Sequence, residues 1–334
     1  MKWKLFPLVL VFLIACAGPQ LQPVTDTTQA AVLYPDVAVM ADGYRLPLAV
    51  HSPVDPPKAI ILALHGFNDY RNAFSEPGGY FAKRGILTVA YDQRGFGDTA
   101  QRGIWPGRQL LQQDAASMAR LLCHRYPHTP LYLLGESMGG AVSMMAALDD
   151  NGDCVHGVVL VAPAIWGWQT MPFWQATLLK IAAWLFPTHK VTGKGLEIRP
   201  SDNIEMLRAL GQDPLVIKAT RIDTVYGLTE LMEQAYRASD EITLPALLLY
   251  GEHDEVIPKH AMCRMVATLP DSPDTRWRLV LYPEGYHMLT RDLKAATVLG
   301  DIVTWVTAGE RQTLPSGYTV NPGAERLDVL CSGA

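Results

Sequence analysis

The sequence predicts an α/β fold in which a mostly parallel, doubly wound sheet carries an inserted helical cap. Short runs of apolar and β-branched residues alternate with segments of helical periodicity over most of the 334 residues. Such runs are too short for helices and lack polar alternation, which is typical of strands buried on both faces of a parallel sheet. The alternation breaks once, at residues 164–243, where no strand pattern occurs. This single long interruption predicts the cap.

The predicted strands follow one another in a regular order. A hairpin pattern comes first, with two apolar runs around Asp42-Gly43 in residues 37–50. The buried-strand runs occupy residues 59–64, 86–91, 131–134, 158–162, 246–250 and 278–282. Helical patterns between them, such as residues 109–125, supply the crossovers that parallel strands require. We therefore assign the sheet domain to residues 36–163 and 244–308.

The cap holds four of the eight tryptophans, and its segment 172–186 is apolar on most faces. The four are Trp166, Trp168, Trp174 and Trp184. Their rings either pack the cap on the sheet domain, line an acyl pocket or touch a membrane, and the sequence leaves these alternatives open. A tail that contains proline and glycine, residues 309–334, follows the sheet domain.

The first residues indicate an export signal. A short basic start precedes an apolar stretch, residues 5–14, that is too short to span a bilayer. The stretch ends in Leu-Ile-Ala-Cys, which resembles the lipobox of bacterial lipoproteins, so that residues 1–15 are a predicted signal peptide and Cys16 the lipidation site. An ordinary signal peptide with a chance cysteine is the alternative. Residues 16–35, rich in Pro, Thr and Gln, are a predicted flexible tether.

The lipobox resemblance implies an exported protein anchored in a membrane. In a Gram-negative cell, Ala17 after the cysteine implies the outer membrane, facing the periplasm. Export makes disulfides possible, and the remaining cysteines are Cys123, Cys154, Cys263 and Cys331. Their places beside the predicted strands favour the pairs Cys123–Cys154 and Cys263–Cys331, with four free thiols as the alternative.

Composition excludes several classes of protein. A net charge of −5 without a basic block argues against a nucleic-acid partner. A His-Glu-x-x-His pattern and a Cys-x-x-Cys pair are both absent from the sequence, so we expect no metal and no other cofactor.

The stretch GESMGG, residues 135–140, is the strongest sign of chemistry. A glycine-flanked serine is a weak pattern alone, and a simple turn closing a strand is the alternative. Here a strand pattern precedes it and a helical pattern follows it, which is the context of a nucleophile elbow. Small residues are needed because the sharp turn brings neighbouring backbone close to the serine. Ser137 is therefore the predicted nucleophile.

A serine hydroxyl needs a base that is oriented by an acid, and in this fold the chain order is Ser, then Asp or Glu, then His. Of nine histidines, His253, His260 and His287 follow the cap. His287 is the predicted base because it comes just after the last strand run. Asp254, in the loop after the preceding run, is the predicted acid, with Glu255 as the second choice.

Two backbone N–H groups must stabilise the oxyanion of an acyl-transfer intermediate. Met138 supplies one at the start of the helix that follows Ser137. The loop His65-Gly66-Phe67-Asn68, after the first buried strand, supplies the other, and Phe67 is the predicted donor. His65 is then expected to hold this loop rather than to react.

Five motifs, in this order and spacing, resemble the monoacylglycerol lipase and lysophospholipase branch of the α/β-hydrolases, also labelled serine aminopeptidase S33-like. They are HGFND, DQRGFGDT, GESMGG, GEHDEVIP and PEGYHMLTRD. The resemblance covers residues 37–307 and departs at Thr99, where relatives commonly carry serine. It implies the triad Ser137, Asp254 and His287, the oxyanion donors Phe67 and Met138, and a cap over a lipophilic acyl tunnel.

The sequence thus favours a serine hydrolase that cleaves carboxylic esters of lipids, of monoacylglycerol or lysophospholipid type. An acyltransferase with the same triad is one alternative. An aminopeptidase-type amide hydrolase is another, and its acidic subsite could come from cap residues Glu197, Asp202, Glu205, Asp223, Glu230 and Glu233. A binding module without activity is a further class, against which the intact triad argues.

Overall fold

The computed structural model describes residues 18–25, 29–149, 154–269, 276–320 and 324–332. The predicted signal peptide and Cys16 lie outside these ranges. The strands are β1 (Val32–Leu33), β2 (Val37–Val39), β3 (Arg45–His51), β4 (Ala59–Leu64), β5 (Ile86–Tyr91), β6 (Leu131–Glu136), β7 (Val155–Val161), β8 (Lys190–Val191), β9 (Thr220–Arg221), β10 (Ala246–Gly251), β11 (Trp277–Tyr282) and β12 (Thr319–Val320). The helices are α1 (Ser75–Ala82), α2 (Arg108–Arg125), α3 (Met138–Leu148), α4 (Phe173–Leu185), α5 (Ile204–Gln212), α6 (Ile222–Arg237), α7 (Lys259–Thr268), α8 (Ala295–Ala308) and α9 (Ala324–Cys331).

The main sheet has the strand order β1-β2-β3-β5-β4-β6-β7-β10-β11-β12. Its middle, from β5 to β11, is parallel throughout. At one edge β1, β2 and β3 run antiparallel, and at the other edge β12 pairs antiparallel with β11. The mostly parallel sheet flanked by helices confirms the predicted fold class.

Strand β4 shows why the buried runs could be recognised. Ile60, Leu62 and Leu64 belong to a hydrophobic core that also holds residues of α2, α3 and α7. The alternate residues Ala59, Ile61 and Ala63 belong to a second core, shared with α1 and α8. Because side chains alternate across a strand, a strand covered by helices on both faces is apolar at every position.

The inserted region contains α4, α5 and α6 together with one small ladder that the sequence did not predict. Strands β8 and β9, of two residues each, pair antiparallel and join the chain after α4 to the start of α6. Two-residue strands leave no readable alternation, so their pattern could not be recognised. Throughout the described ranges, no helix is long and apolar enough to cross a membrane.

The predicted flexible tether differs from the structure, which fixes part of it on the domain. The N–H of Gln22 donates to the Trp105 carbonyl at 3.0 Å, and its side chain, which is buried, donates to the Ile104 carbonyl at 2.8 Å. The N–H of Gln20 donates to Asp223 at the start of α6. Polar composition suggested a free linker, but these polar groups donate to backbone carbonyls and to a carboxylate of the domain.

Two disulfides are present, one between α2 and the residue before β7 and one between α7 and α9. Cys123 at the end of α2 is bonded to Cys154 before β7, with Cα atoms 5.9 Å apart. Cys263 in α7 is bonded to Cys331 at the end of α9, with Cα atoms 5.7 Å apart. Both separations lie in the usual range for disulfides. The pairs are those favoured by the sequence, and thiol titration of the denatured protein would test them.

Candidate active site

Ser137 occupies a sharp turn between β6 and α3. Its backbone has φ 54° and ψ −115°, a conformation that a residue with a side chain rarely adopts. Two backbone hydrogen bonds hold it there: its N–H donates to Val161 at 2.9 Å, and its carbonyl accepts from Ala164 at 2.9 Å. Strain that the surrounding structure maintains is a recurrent feature of reactive sites.

Two glycines of GESMGG make this turn possible. A Cβ on Gly139 would lie 2.0 Å from the carbonyl oxygen of Leu64, and a Cβ on Gly135 would lie 2.2 Å from that of Gly139. Both contacts are to backbone, which cannot move aside as a flexible side chain can. The start of α3 therefore sits against the end of β4, and this contact brings Ser137 toward the loop that follows β4.

His287 and Asp254 form a buried pair. Nδ1 of His287 lies 2.9 Å from Oδ2 of Asp254, and both residues are buried. The other oxygen of Asp254 accepts from the N–H groups of Val256 and Ile257 at 2.8 and 2.9 Å. Since both carboxylate oxygens have fixed partners, Asp254 can orient the imidazole and leave Nε2 for the reaction.

The pKa of His287 results from opposing influences. Burial is the largest influence and lowers it, but the Asp254 and Glu136 carboxylates together raise it by more, so that the pKa lies above the ordinary value of 6.5. Asp254 favours the charged imidazolium that forms when a base accepts a proton. In the part of the chain that the structure describes, the Ser137 hydroxyl and His287 are not hydrogen-bonded to each other. Catalytic hydrogen bonds of this kind commonly tighten only when substrate binds.

The alternative histidines and acids that follow the cap contact other residues. Glu255 accepts a hydrogen bond from the N–H of Arg199 in the cap, at 2.6 Å. The ring of His253 packs edge-on against Tyr286, and His260 bonds to the carbonyl of Thr170. The structure therefore brings Asp254, and not Glu255, to His287.

The predicted oxyanion loop lies beside the nucleophile. A Cβ on Gly66 would be 3.5 Å from the Cβ of Ser137. The N–H of Phe67 makes no hydrogen bond to any other described residue, and Met138 is the first residue of α3, where N–H groups lack helical partners. Both amides are therefore available as donors next to Ser137.

His65 holds this loop. Its Nε2 accepts from the N–H of Gln93 at 2.9 Å, so the proton resides on Nδ1, which faces the Gly66 carbonyl at 2.8 Å. Burial lowers the pKa of His65 below its ordinary value, which keeps the ring neutral as these bonds require.

One group of site residues escaped the sequence reasoning. Arg291 forms buried ion pairs with Asp69 and Glu136, at 2.8 and 2.7 Å. Each of these three charged residues lies inside one of the quoted motifs, one to four residues from a predicted catalytic or oxyanion residue. Their positions inside the motifs were visible in the sequence, but their burial and their pairing were not.

The cap turns an apolar face outward. Helix α4 buries its small residues Ala176 and Ala183, whereas its large apolar side chains are exposed. The exposed ones are Phe173, Trp174, Leu178, Ile181, Trp184 and Leu185. By contrast, Trp166 packs against the core and the ring of Trp168 packs against Tyr226.

The acids of the cap do not form one subsite. Asp223 is paired with Arg221 at 2.6 Å, Glu233 with Arg237 at 2.6 Å, and Asp202 accepts from the N–H of Leu293. The remaining three, Glu197, Glu205 and Glu230, are exposed. In the described part of the chain, no three His, Cys, Asp or Glu side chains come close enough to hold a metal ion.

Residues 55–294 match the model of the Hydrolase_4 family (serine aminopeptidase, S33). The chain is 29% identical to a monoglyceride lipase of Rattus norvegicus over 277 residues, which cover 80% of this chain and 89% of the relative. It is 25% identical to a monoacylglycerol lipase of Mycolicibacterium smegmatis over 282 residues, 80% of this chain and 94% of the relative.

Solved structures show the same fold. A monoacylglycerol lipase of Paleococcus ferrophilus superposes with a TM-score of 0.65 at 22% identity, covering 79% of this chain and 98% of that one. A soluble variant of the Saccharomyces cerevisiae monoglyceride lipase gives a TM-score of 0.67 at 18% identity, covering 90% and 98%. At these identities the likeness establishes the architecture and leaves the substrate to other arguments.

Proposed function

The chain belongs to the serine aminopeptidase S33 family of α/β-hydrolases, in the monoacylglycerol lipase branch, and on this premise we propose that it cleaves carboxylic esters of lipids through an acyl-enzyme on Ser137. The observation that carries the proposal is the buried His287–Asp254 pair, with its Nδ1 to Oδ2 distance of 2.9 Å, in the same structure as a serine on a strained elbow. This combination fits acyl transfer by a nucleophile, a base and an orienting acid.

The reaction proceeds in two halves. Nε2 of His287 accepts the proton of the Ser137 hydroxyl while the serine oxygen attacks the ester carbonyl. The oxyanion forms against the N–H groups of Phe67 and Met138. The intermediate collapses as His287 returns the proton to the departing alcohol, which leaves the acyl group on Ser137. Water then attacks the acyl-enzyme, losing its proton to His287, and the fatty acid is released as His287 returns that proton to the Ser137 oxygen.

A lipid substrate is supported by the outward face of the cap and by the relatives. The exposed apolar side chains of α4, with Phe173 84% exposed, form a surface that water-soluble esters do not require. Several sequence relatives are named monoglyceride lipase or monoacylglycerol lipase. We therefore propose acyl esters of monoacylglycerol or lysophospholipid type, with the acyl chain held under the cap.

We also propose that the protein is anchored in a membrane through Cys16. The support is the lipobox-like sequence together with the position of Gln20, whose N–H is bonded to Asp223 at the base of the cap. Four residues span at most about 14 Å, so an anchor on Cys16 would lie near the cap. Metabolic labelling with a fatty acid, compared between the natural chain and Cys16→Ala, tests the anchor.

Hydrolysis is tested with p-nitrophenyl esters from acetyl to palmitoyl, followed by monooleoylglycerol and lysophosphatidylcholine. The protein is the form that begins at Ala17, beside Ser137→Ala and the matched control Ser143→Ala on the same helix α3. We expect activity that peaks at medium or long acyl chains, is lost in Ser137→Ala and persists in Ser143→Ala. Folded protein that cleaves none of these esters would contradict the proposal. Acceptor alcohols and aminoacyl anilides in the same assay would then test acyl transfer and amide hydrolysis.

A further inference from the structure

Arg291 connects three loops of the candidate active site. Its guanidinium reaches Asp69 with one terminal nitrogen and Glu136 with the other, at 2.8 and 2.7 Å. All three side chains are buried. The second oxygen of Glu136 accepts from the hydroxyl of Thr290 at 2.6 Å. The carboxylate of Glu136 is thus bonded on both sides by consecutive residues of one loop.

Each partner adjoins a different part of the catalytic machinery. Asp69 lies two residues after Phe67, whose amide is the proposed oxyanion donor. Glu136 directly precedes Ser137, and Arg291 follows His287 by four residues. The three reacting parts come from separate strand ends, and each is joined to the same guanidinium through a few backbone bonds.

We propose that Arg291 is a positioning residue that sets the relative placement of the nucleophile, the base and the oxyanion loop. This inference rests on the proposed hydrolysis. The guanidinium is planar and presents its two terminal nitrogens in a fixed fork, so that it holds two carboxylates at a set separation. A lysine in its place keeps the charge but offers one flexible nitrogen, which cannot fix both loops together.

The chain contains a matched arrangement away from the reacting atoms. Arg94 is also buried, and it pairs with Asp42 and Asp114. These partners lie in the turn before β3 and in helix α2, neither of which carries a predicted catalytic residue. Replacing either arginine by lysine disturbs a buried ion-pair network, but only the change at Arg291 should alter the geometry of the reaction.

The experiment compares Arg291→Lys with Arg94→Lys in the full chain, purified in detergent and assayed at a temperature where both are folded by circular dichroism. We expect kcat for a p-nitrophenyl ester to fall about 10- to 100-fold in Arg291→Lys, the effect of misplacing reacting groups by about 1 Å. KM should change less than kcat. In Arg94→Lys, kcat should remain within about twofold of the natural protein.

A second measurement uses a fluorophosphonate, which phosphonylates the serine oxygen with loss of fluoride. The rate of labelling of Ser137 should fall in parallel with kcat in Arg291→Lys. If Arg291→Lys does not fold, Glu136→Gln and Asp69→Asn replace it, with Asp114→Asn and Asp42→Asn as their controls. Each of the first two should lower kcat about tenfold more than its control, because each releases one loop from the guanidinium.

The pH dependence of kcat distinguishes the effect of Arg291 on the geometry of the site from the effect of its charge. The charged groups of the site around His287 are Asp254, Glu136, Asp69, Asp292 and Arg291. Arg291 lowers the pKa of His287 and Glu136 raises it. Arg291→Lys keeps the positive charge. We therefore expect kcat to fall, while the pH at which activity is lost on the acid side of the profile stays the same. Arg291→Met removes the charge, so the pKa of His287 should rise and the acid limb should move to higher pH.

The outcomes are distinct. Equal kcat in Arg291→Lys and Arg94→Lys, with a reactive natural protein, would overturn the inference and leave the proposed function standing. A natural protein that neither hydrolyses esters nor reacts with the fluorophosphonate would overturn the proposed function and the inference with it. A loss of kcat and of labelling confined to Arg291 and its partners is the predicted result.

Discussion

The catalytic loops and the first helix of the cap differ in how their side chains are held. Asp254 and His287 are buried and bonded to each other, and the backbone of Ser137 is bonded to the end of β7 and to the chain that follows it. Helix α4 instead buries alanines and exposes most of its large apolar side chains. The proposed reaction thus relies on contacts within this chain, whereas the proposed choice of a lipid substrate relies on an exposed surface of the cap.

The largest effect on the catalytic side is expected from Asp254→Asn. Without the carboxylate, His287 loses the partner that fixes its tautomer, and kcat should fall about 10⁴-fold. Glu255→Gln is the matched control, since Glu255 bonds to Arg199 instead of His287, and its kcat should stay within about threefold. Similar losses in both variants would show that the acid has been assigned wrongly. The measurement is kcat for a p-nitrophenyl ester.

Gly139→Ala tests whether the elbow is fixed by backbone contact. The new Cβ would lie 2.0 Å from the Leu64 carbonyl oxygen, so we expect a loss of stability of about 3 kcal/mol or more, or no folded protein. Gly211→Ala in α5 is the control, because a Cβ there meets nothing within 4 Å. It should be neutral or stabilise by up to about 1 kcal/mol. Urea unfolding measures both, and a stable, active Gly139→Ala would contradict the account.

Leu178→Gln and Ile181→Gln, made in the form that begins at Ala17, test the exposed apolar face of α4. Both side chains are exposed, so stability should change by less than about 0.5 kcal/mol. Hydrolysis of monooleoylglycerol in lipid vesicles should fall about fivefold for each lost contact of about 1 kcal/mol. Hydrolysis of p-nitrophenyl acetate should not change. Val54→Gln, at an exposed apolar position in the sheet domain, is the control. Equal rates on vesicles in all three variants would remove the membrane role of the cap.

The smallest predicted effect concerns pH. His287 must be neutral to accept the serine proton, and its pKa lies above 6.5 because the Asp254 and Glu136 carboxylates together outweigh burial. Activity of the natural protein should therefore fall as the pH drops through a value above 6.5. In Asp254→Asn the influence of burial remains and the carboxylate is gone, so the remaining activity should fall at a lower pH than in the natural protein. Acid limbs in the reverse order would contradict this assignment.

The sequence predicted the parts whose signals are local. Strands β4 and β5 could be bounded to the residue because burial on both faces makes every position apolar. The nucleophile elbow could be recognised because glycine spacing reflects the close contact of α3 with β4. Strands β1, β8, β9 and β12 were missed because two residues show no period.

The Arg291 network could not be derived in the same way. Asp69, Glu136 and Arg291 are far apart in the chain, and a single charged residue beside a motif is compatible with exposure. Their common burial follows only from the three-dimensional arrangement of the strand ends. The docking of Gln20 and Gln22 was missed for a similar reason, since a polar segment gives no sign of which backbone groups it will meet.

The most direct test of the proposed acyl-enzyme on Ser137 is to trap the acyl group. The natural protein is mixed with p-nitrophenyl butyrate, quenched in acid within the first turnovers and digested for mass spectrometry, beside Ser137→Ala and Ser143→Ala. We expect one butyryl group on the peptide that contains Ser137 in the natural protein and in Ser143→Ala, and none in Ser137→Ala. Ester cleavage without acylation of Ser137, or with the acyl group on another residue, would contradict it.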